Sequence, residues 1–149
     1  MTINPNHGSA LVTVDPRPML WENWMALRNG NLSLVAEIIA PDLTVHLSAV
    51  GDPGGRLRGR AALVAWVSAL HAAHPAARLT VEVGPVIGPD LIAGRWHLTG
   101  IRRGVDWGRP LQKMATGVDI IRIAGDRIVE YWGHDDDLRR ERPLRRVAA

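Results

Sequence analysis

Among the ionisable residues in strand-like segments, three stand out as candidates for one shared interior, because alternation can force their side chains together: Arg95, His97 and Asp119. In Gly117 to Ile123, Ile121 and Ile123 share a face with Asp119, and Arg122 lies opposite. An arginine is far more at home in solvent than in a core, so Asp119 is expected on the buried, concave side. An unpaired carboxylate there would cost several kcal/mol. It needs a partner or a raised pKa, and both conditions suit an acid–base residue. A carboxylate fixed structurally by an arginine or by backbone donors would meet them equally well. Arg95 and His97 lie two apart and share a face, with Trp96 and Leu98 on the other. Either pair can point inward, because both sets contain bulky residues. Histidine serves as a base near neutral pH, and an Arg95–Asp119 ion pair beside His97 would also satisfy buried charge.

Other candidates carry less. His46 sits in the first strand and is a candidate lining residue, whereas His71 and His74 on a helix face read as packing or surface histidines. Trp24, Trp66 and Met114 could wall a substrate pocket, and plain core packing explains each as well. His134-Asp135-Asp136-Asp137 holds metal-ligand types, but adjacent residues in a strand or turn do not converge, so no metal is expected. No glycine-rich phosphate or dinucleotide fingerprint is present, and no cofactor is expected.

The elements that must position these residues are legible from periodicity. Leu20, Trp24 and Leu27 fall on one helical face, with Trp21 and Met25 beside them. Asn29-Gly30-Asn31 closes that helix and can cap the next, striped by Leu34, Val35, Ile38 and Ile39 and stopped at Ala40-Pro41-Asp42. Leu43 to Val50 reads as a strand and Gly51-Asp52-Pro53-Gly54-Gly55 as a loop. Gly59-Arg60 leads into a helix with Leu63, Trp66, Val67, Leu70, His71 and His74 at helical spacing, ended by Pro75. Strands follow at Leu79–Val83, Leu91–Ile101 and Lys113–Ile123, the last two joined across Arg102 to Pro110. Gly125-Asp126 marks a tight turn before a closing strand from Arg127 to His134. Helices segregated from a run of antiparallel strands make an α+β fold.

Composition sets the limits. The chain has 149 residues, 46% of them hydrophobic and 22% charged, which fits one domain with a real core. It has no cysteine, so disulfides, thiolate nucleophiles and Cys-ligated zinc are excluded. No segment approaches the ~20 apolar residues of a membrane span, and the expected location is the cytoplasm. The formal charge is +3, much of the excess sitting in the tail Arg139, Arg140, Arg142, Arg145 and Arg146 after the last strand. That distribution reads as a solubilising tail, and no nucleic-acid partner is expected. The expected organisation is a loose lead-in over 1–18, a domain over 19–138 and a basic tail over 139–149.

Trp24 to His46, with its helix pair, Pro41-Asp42 break and following strand, resembles the opening of SnoaL-like polyketide cyclases, members of the nuclear-transport-factor-2-like superfamily. Gly59-Arg60-Ala61-Ala62-Leu63 resembles their third-helix start, and Ala93 to Gly100 their first long strand. Gly117 to Ile123 followed by Gly125 to Trp132 is the best match. The resemblance covers roughly 19 to 138 and implies a cone-shaped α+β barrel: a curved, mostly antiparallel sheet wrapped by three helices around an internal cavity, often dimeric. It favours Arg95 and His97 inward, where epoxide hydrolases of the superfamily carry an arginine and an aspartate. His97 replaces that aspartate. SnoaL-type cyclases carry a histidine, and two residues later an acid–base aspartate, where this chain has Tyr131 and Gly133. Tyr131 can hydrogen-bond a developing enolate but is a poor base. Asp136 matches an aspartate that family members carry before their terminal helix, a place suited to a helix cap.

Two functions follow. The first is a cofactor-independent acid–base enzyme acting on a hydrophobic, oxygenated small molecule of polyketide or other natural-product type. Asp119 and His97 would exchange protons, Arg95 and Tyr131 would polarise an oxygen, and Trp24, His46, Trp66 and Met114 would bind substrate. Ring closure, epoxide opening, isomerisation and dehydration all fit that set. The second is a binding or assembly module that uses the same cavity without turnover.

Overall fold

The computed structural model describes residues 12–47, 56–106 and 109–136; for 56, 102–106 and 109–114 it describes the backbone alone. The loop at 51–55, the tail at 139–149 and the side chain of Met114 lie outside the described residues.

The first helix, α1 (Arg17–Arg28), has Pro16 before its first turn, where a missing N–H costs nothing. Its apolar stripe is buried as the spacing predicts, and so is Arg28, in its last turn. Asn29 ends the helix and docks it: its side-chain amide donates to the Leu79 carbonyl at 3.0 Å and its oxygen accepts the Leu79 N–H at 2.8 Å. The second helix is shorter than its stripe suggests. A 3-10 turn (Leu32–Leu34) leads into α2 (Val35–Ile38), and the chain is extended from Ile39. Strand β1 (Ile39–Leu47) therefore contains Pro41 instead of starting after it. The proline is accommodated at a register shift between Ile39 and Thr44, where its missing N–H removes no ladder bond.

A short strand β2 (Arg56–Arg58), not expected from the sequence, precedes α3 (Gly59–Ala73). Arg60 ties the start of α3 to β1 by two bonds to the Ile39 carbonyl, at 2.8 and 2.6 Å. The remaining strands are β3 (Arg78–Ile87), β4 (Leu91–Asp106), β5 (Arg109–Ala124) and β6 (Arg127–Asp135). The β4–β5 ladder runs on to the pair Asp106–Arg109, beyond the expected strand ends. Together they form one curved six-stranded sheet in the order β2-β1-β6-β5-β4-β3, antiparallel throughout except for β1 against β6.

Helices cover one face of the sheet, and the core lies between. Ile92, Trp96 and Leu98 of β4, Ala115 and Ile121 of β5, and Tyr131 of β6 are buried there with Trp21, Trp24 and Leu27 of α1 and Leu63 and Val67 of α3. The fold is an α+β cone, the class being the one the element order implied and the cone the one the resemblance implied.

Candidate active site

Register builds the inner surface row by row. Ile92, Ile121 and Tyr131 are neighbours across β4, β5 and β6; the next row is Gly94, Asp119 and Gly133; the one after is Trp96, Gly117 and Asp135. Asp119 is thus flanked by two glycines, and aromatic rings lie over all three glycines. A Cβ at Gly94 would sit 2.5 Å from the Trp21 ring, one at Gly117 2.3 Å from the Trp96 ring, and one at Gly133 2.3 Å from the Tyr131 hydroxyl oxygen. These glycines are present because rings must lie flat on the sheet around one carboxylate.

That carboxylate is fully buried. Its Oδ2 accepts from the Trp24 indole at 2.9 Å and from Arg28 Nε at 3.0 Å. Its Oδ1 accepts from the Trp96 indole and the Tyr131 hydroxyl, both at 2.8 Å, with Arg28 Nη2 at 3.5 Å. Four donors within 3.0 Å fill the acceptor sites of the carboxylate. Arg28, at 4% exposure, is held from above as well: its guanidinium lies 4.5 Å from the Trp66 ring and 5.7 Å from those of Trp96 and Tyr131. Tyr131 packs against Trp24 at 4.6 Å and Trp66 at 5.9 Å between centroids.

Burial works against the Arg28 charge, but Asp119 first, then Tyr131 and Asp135, outweigh it, so Arg28 holds its proton more tightly than usual. Burial pushes the Tyr131 phenol up, Arg28 pulls against it, and Asp119 adds to the rise; the phenol ionises well above its ordinary 10.0. Tyr131 is a hydrogen-bond donor and not a base. The Trp21 indole N–H is the one buried side-chain polar atom without a partner among the described residues.

Of the residues singled out in the sequence, the structure brings Asp119, Tyr131, Trp24 and Trp66 together, and it adds Arg28 and Trp96. Arg95 and His97 are a correction. The inward parity favoured for them is reversed: Trp96 and Leu98 point inward, and Arg95 and His97 are half-buried on the opposite face. The physical reason is partner choice. The Trp96 indole offers apolar area and one N–H that meets Asp119, whereas Arg95 keeps partial contact with water and pairs with Asp136 at 2.9 Å and Glu82 at 3.1 Å. Arg28 takes the role of Asp119's cation that was open to Arg95. His46 is also on the outer face, bonded to Glu130 at 2.8 Å and stacked on Trp132 at 5.2 Å. Asp136 accepts from Arg95 and from the Thr116 hydroxyl at 3.0 Å. His71 is a packing residue whose Nε2 bonds the Arg28 carbonyl at 2.9 Å. A cleft of about 190 Å³ opens by Leu20, Ile38, Ile123 and Gly125, and none of the cluster residues lines it.

Arg28 was legible in principle. It follows Leu20, Trp21 and Trp24 on the same side of a helix, one turn beyond Trp24, as a lone cation in an apolar stripe.

The profile of the SnoaL-like domain matches residues 22–131. The chain belongs to the SnoaL-like family. No curated protein matches the sequence. Among solved structures, this SnoaL-like chain is similar to IdmH, a candidate polyketide cyclase from Streptomyces antibioticus, at 28% identity and a TM-score of 0.69, over 84% of this chain and 94% of that one. It is similar in fold to a candidate SnoaL-like polyketide cyclase from Jannaschia, at 16% identity and a TM-score of 0.68, over 83% and 88% of the two chains. A protein of ketosteroid-isomerase-like fold from Catenulispora acidiphila, solved with trimethylamine, shares the fold at 19% identity and a TM-score of 0.63, over 78% and 85%. Among the described residues no helix is long and apolar enough to cross a membrane, and no cluster of potential metal ligands occurs.

Proposed function

We propose that this SnoaL-like protein is a cyclase-type enzyme that binds a hydrophobic, oxygenated polyketide-type intermediate against the inner face of the cone and polarises one of its carbonyl oxygens. The observation that carries this reading is the unequal freedom of the four groups holding Asp119. Both indoles and the guanidinium are fixed by ring and fork geometry, whereas the Tyr131 hydroxyl turns about its own C–O bond. Its proton can leave Asp119 for a ligand oxygen while Trp24, Trp96 and Arg28 still satisfy the carboxylate. Asp119 acts first as an anchor: Arg28 at 3.0 Å and the two indoles hold both of its oxygens even when the Tyr131 proton has turned away and freed one Oδ1 lone pair. Arg28 adds positive potential where an enolate or alkoxide develops, in surroundings that keep water from screening it.

No dissociable cofactor is required by this chemistry. Trp66, half-buried over Arg28 and Tyr131, is the wall nearest solvent and the place where substrate contacts the cluster. A homodimer through the outer face of the sheet, which no helix covers among the described residues and where Trp132 lies between His46 and Arg122, belongs to the same reading and is tested by sedimentation.

The experiment is turnover of a linear aryl poly-β-ketone thioester by wild type and Tyr131→Phe, with substrate binding followed by tryptophan fluorescence. Loss of one donor to a developing oxyanion is expected to lower kcat by roughly 10²–10³-fold at nearly unchanged affinity. Equal rates would remove Tyr131 from the chemistry. Binding of the thioester without turnover by wild type would favour the second reading, a binding module, which the full satisfaction of Asp119 also fits.

A further inference from the structure

Strands β4 and β5 pair with each other for longer than either pairs with a third strand. The outermost contact of β4 with β3 is Thr99 opposite Arg78, and that of β5 with β6 is Gly117 opposite Asp135. The β4–β5 ladder continues past both, through Ile101–Lys113 and Arg102–Gln112 to Asp106–Arg109. Among the described residues this stretch is a two-stranded arm with no strand on either edge. Its root is fixed. Gly100 takes a left-handed φ of 77° close against the backbone of Ala76, and Ile101 packs on the core. Beyond the root a two-stranded ribbon gains little stability by itself, and a further register shift lies between Arg102 and Val105.

The arm is basic. Arg102, Arg103, Arg109 and Lys113 fall on it with Asp106 as its one acid, so its net charge equals the +3 of the whole chain. Charges and bulges guard a free edge against other strands. Guarding works with either sign, however, and here one sign is concentrated. Two such arms set side by side by a twofold axis would repel, which argues against a second copy as the partner. A neutral ligand would leave the charge unused. An acidic surface fits it. The arm also grows from the end of the sheet that holds the aromatic cluster. Leu98 and Ala115 form the row next to Trp96 and Gly117, which puts Asp119 about 13 Å along β5 from the root.

We propose that the β4–β5 arm docks an acidic carrier protein that delivers the polyketide-type ligand as a thioester on a flexible tether. The inference rests on the cyclase reading above, which supplies the reason for a carrier: a free poly-β-ketone condenses with itself, and a tether directs it to one site. Docking on the arm holds the carrier beside the cluster while the tethered chain reaches toward Trp66. The contact is electrostatic and transient, and its rate and strength fall with salt.

The test uses the full chain and, as probe, a fluorescently labelled apo acyl carrier protein of a type II polyketide synthase, an acidic protein, with binding read by anisotropy. Wild type is expected to bind it with an affinity that falls steeply as salt is added. Arg102→Glu/Arg103→Glu/Arg109→Glu is expected to bind roughly 10–100-fold more weakly, and Arg102→Lys/Arg103→Lys/Arg109→Lys to stay within about threefold of wild type. A milder pair, Arg102→Gln/Arg109→Gln, should lose roughly 3–10-fold and covers the case in which the reversal variant does not fold. Turnover of the aryl poly-β-ketone thioester of a short soluble thiol should be the same for all these proteins, whereas KM for the carrier-bound thioester should rise with the loss of binding.

No binding of the carrier by wild type, or binding indifferent to the reversals, would overturn the docking surface. Equal losses on the short and the carrier-bound thioesters would overturn it too, because the arm would then act on the site itself. Tighter binding of a duplex oligonucleotide than of the carrier at the same salt would assign the arm to nucleic acid instead. If wild type binds the carrier through these arginines but turns over neither thioester, the cyclase reading falls and the docking surface stands.

Discussion

The two faces of strands β4, β5 and β6 use the same residue types to opposite effect. Inward, one aspartate, one arginine, two tryptophans and a tyrosine interlock with almost no access to water. Outward, Arg95, Asp136, Glu82, Arg122, Glu130, His46 and Trp132 also pair and stack, but their ion pairs keep a quarter to a half of each side chain exposed. A pair that water can replace contributes little, whereas a pair that water cannot reach must be complete. The inner cluster therefore governs stability far more than the outer network does. The outer network decorates a surface.

That contrast is sharpest for Arg28→Met. Removing the cation strands a buried carboxylate, and the expected cost is about 3–5 kcal/mol, measured as a lower urea midpoint at unchanged slope. A loss no greater than that of a surface pair would mean water reaches Asp119, and the distinction between the faces would fail.

Next in size is an alkaline titration. Tyr131 is the only tyrosine of the chain, so phenolate absorbance reports on it alone. Its proton is held more tightly folded than unfolded, so the folded state binds more protons at high pH. Its contribution to stability is complete below the ordinary phenol value and is lost as pH rises through the folded value. Phenolate is expected to appear together with loss of the helical circular-dichroism signal. Phenolate arising near the ordinary value, with the helices intact, would place Tyr131 in contact with solvent.

The smallest effect is expected on the outer face. Arg95→Ala removes the partner of both Asp136 and Glu82 and should leave the melting temperature within experimental error at physiological salt, because exposed pairs are screened. A large destabilisation would show the outer network to be as closed as the inner one.

The α+β class, the α1 and α3 helices, the long strands and the burial of Asp119 were all determined by the sequence, because period, turn residues and the aversion of Arg122 to burial act locally. Local rules failed where two outcomes were locally equal. Either parity of Arg95–Leu98 presents bulky residues inward, and only the presence of Asp119 on the neighbouring strand makes the Trp96 N–H the better occupant. Pro41 looked like a break before a strand, yet a register shift against β6 absorbs it within β1. Arg28 is one cation in a helix until α1 is laid across β5. Which side chains exist and how they alternate is written along the chain. Which of them meet out of reach of water depends on register between strands far apart in sequence, and the tertiary structure alone decides that.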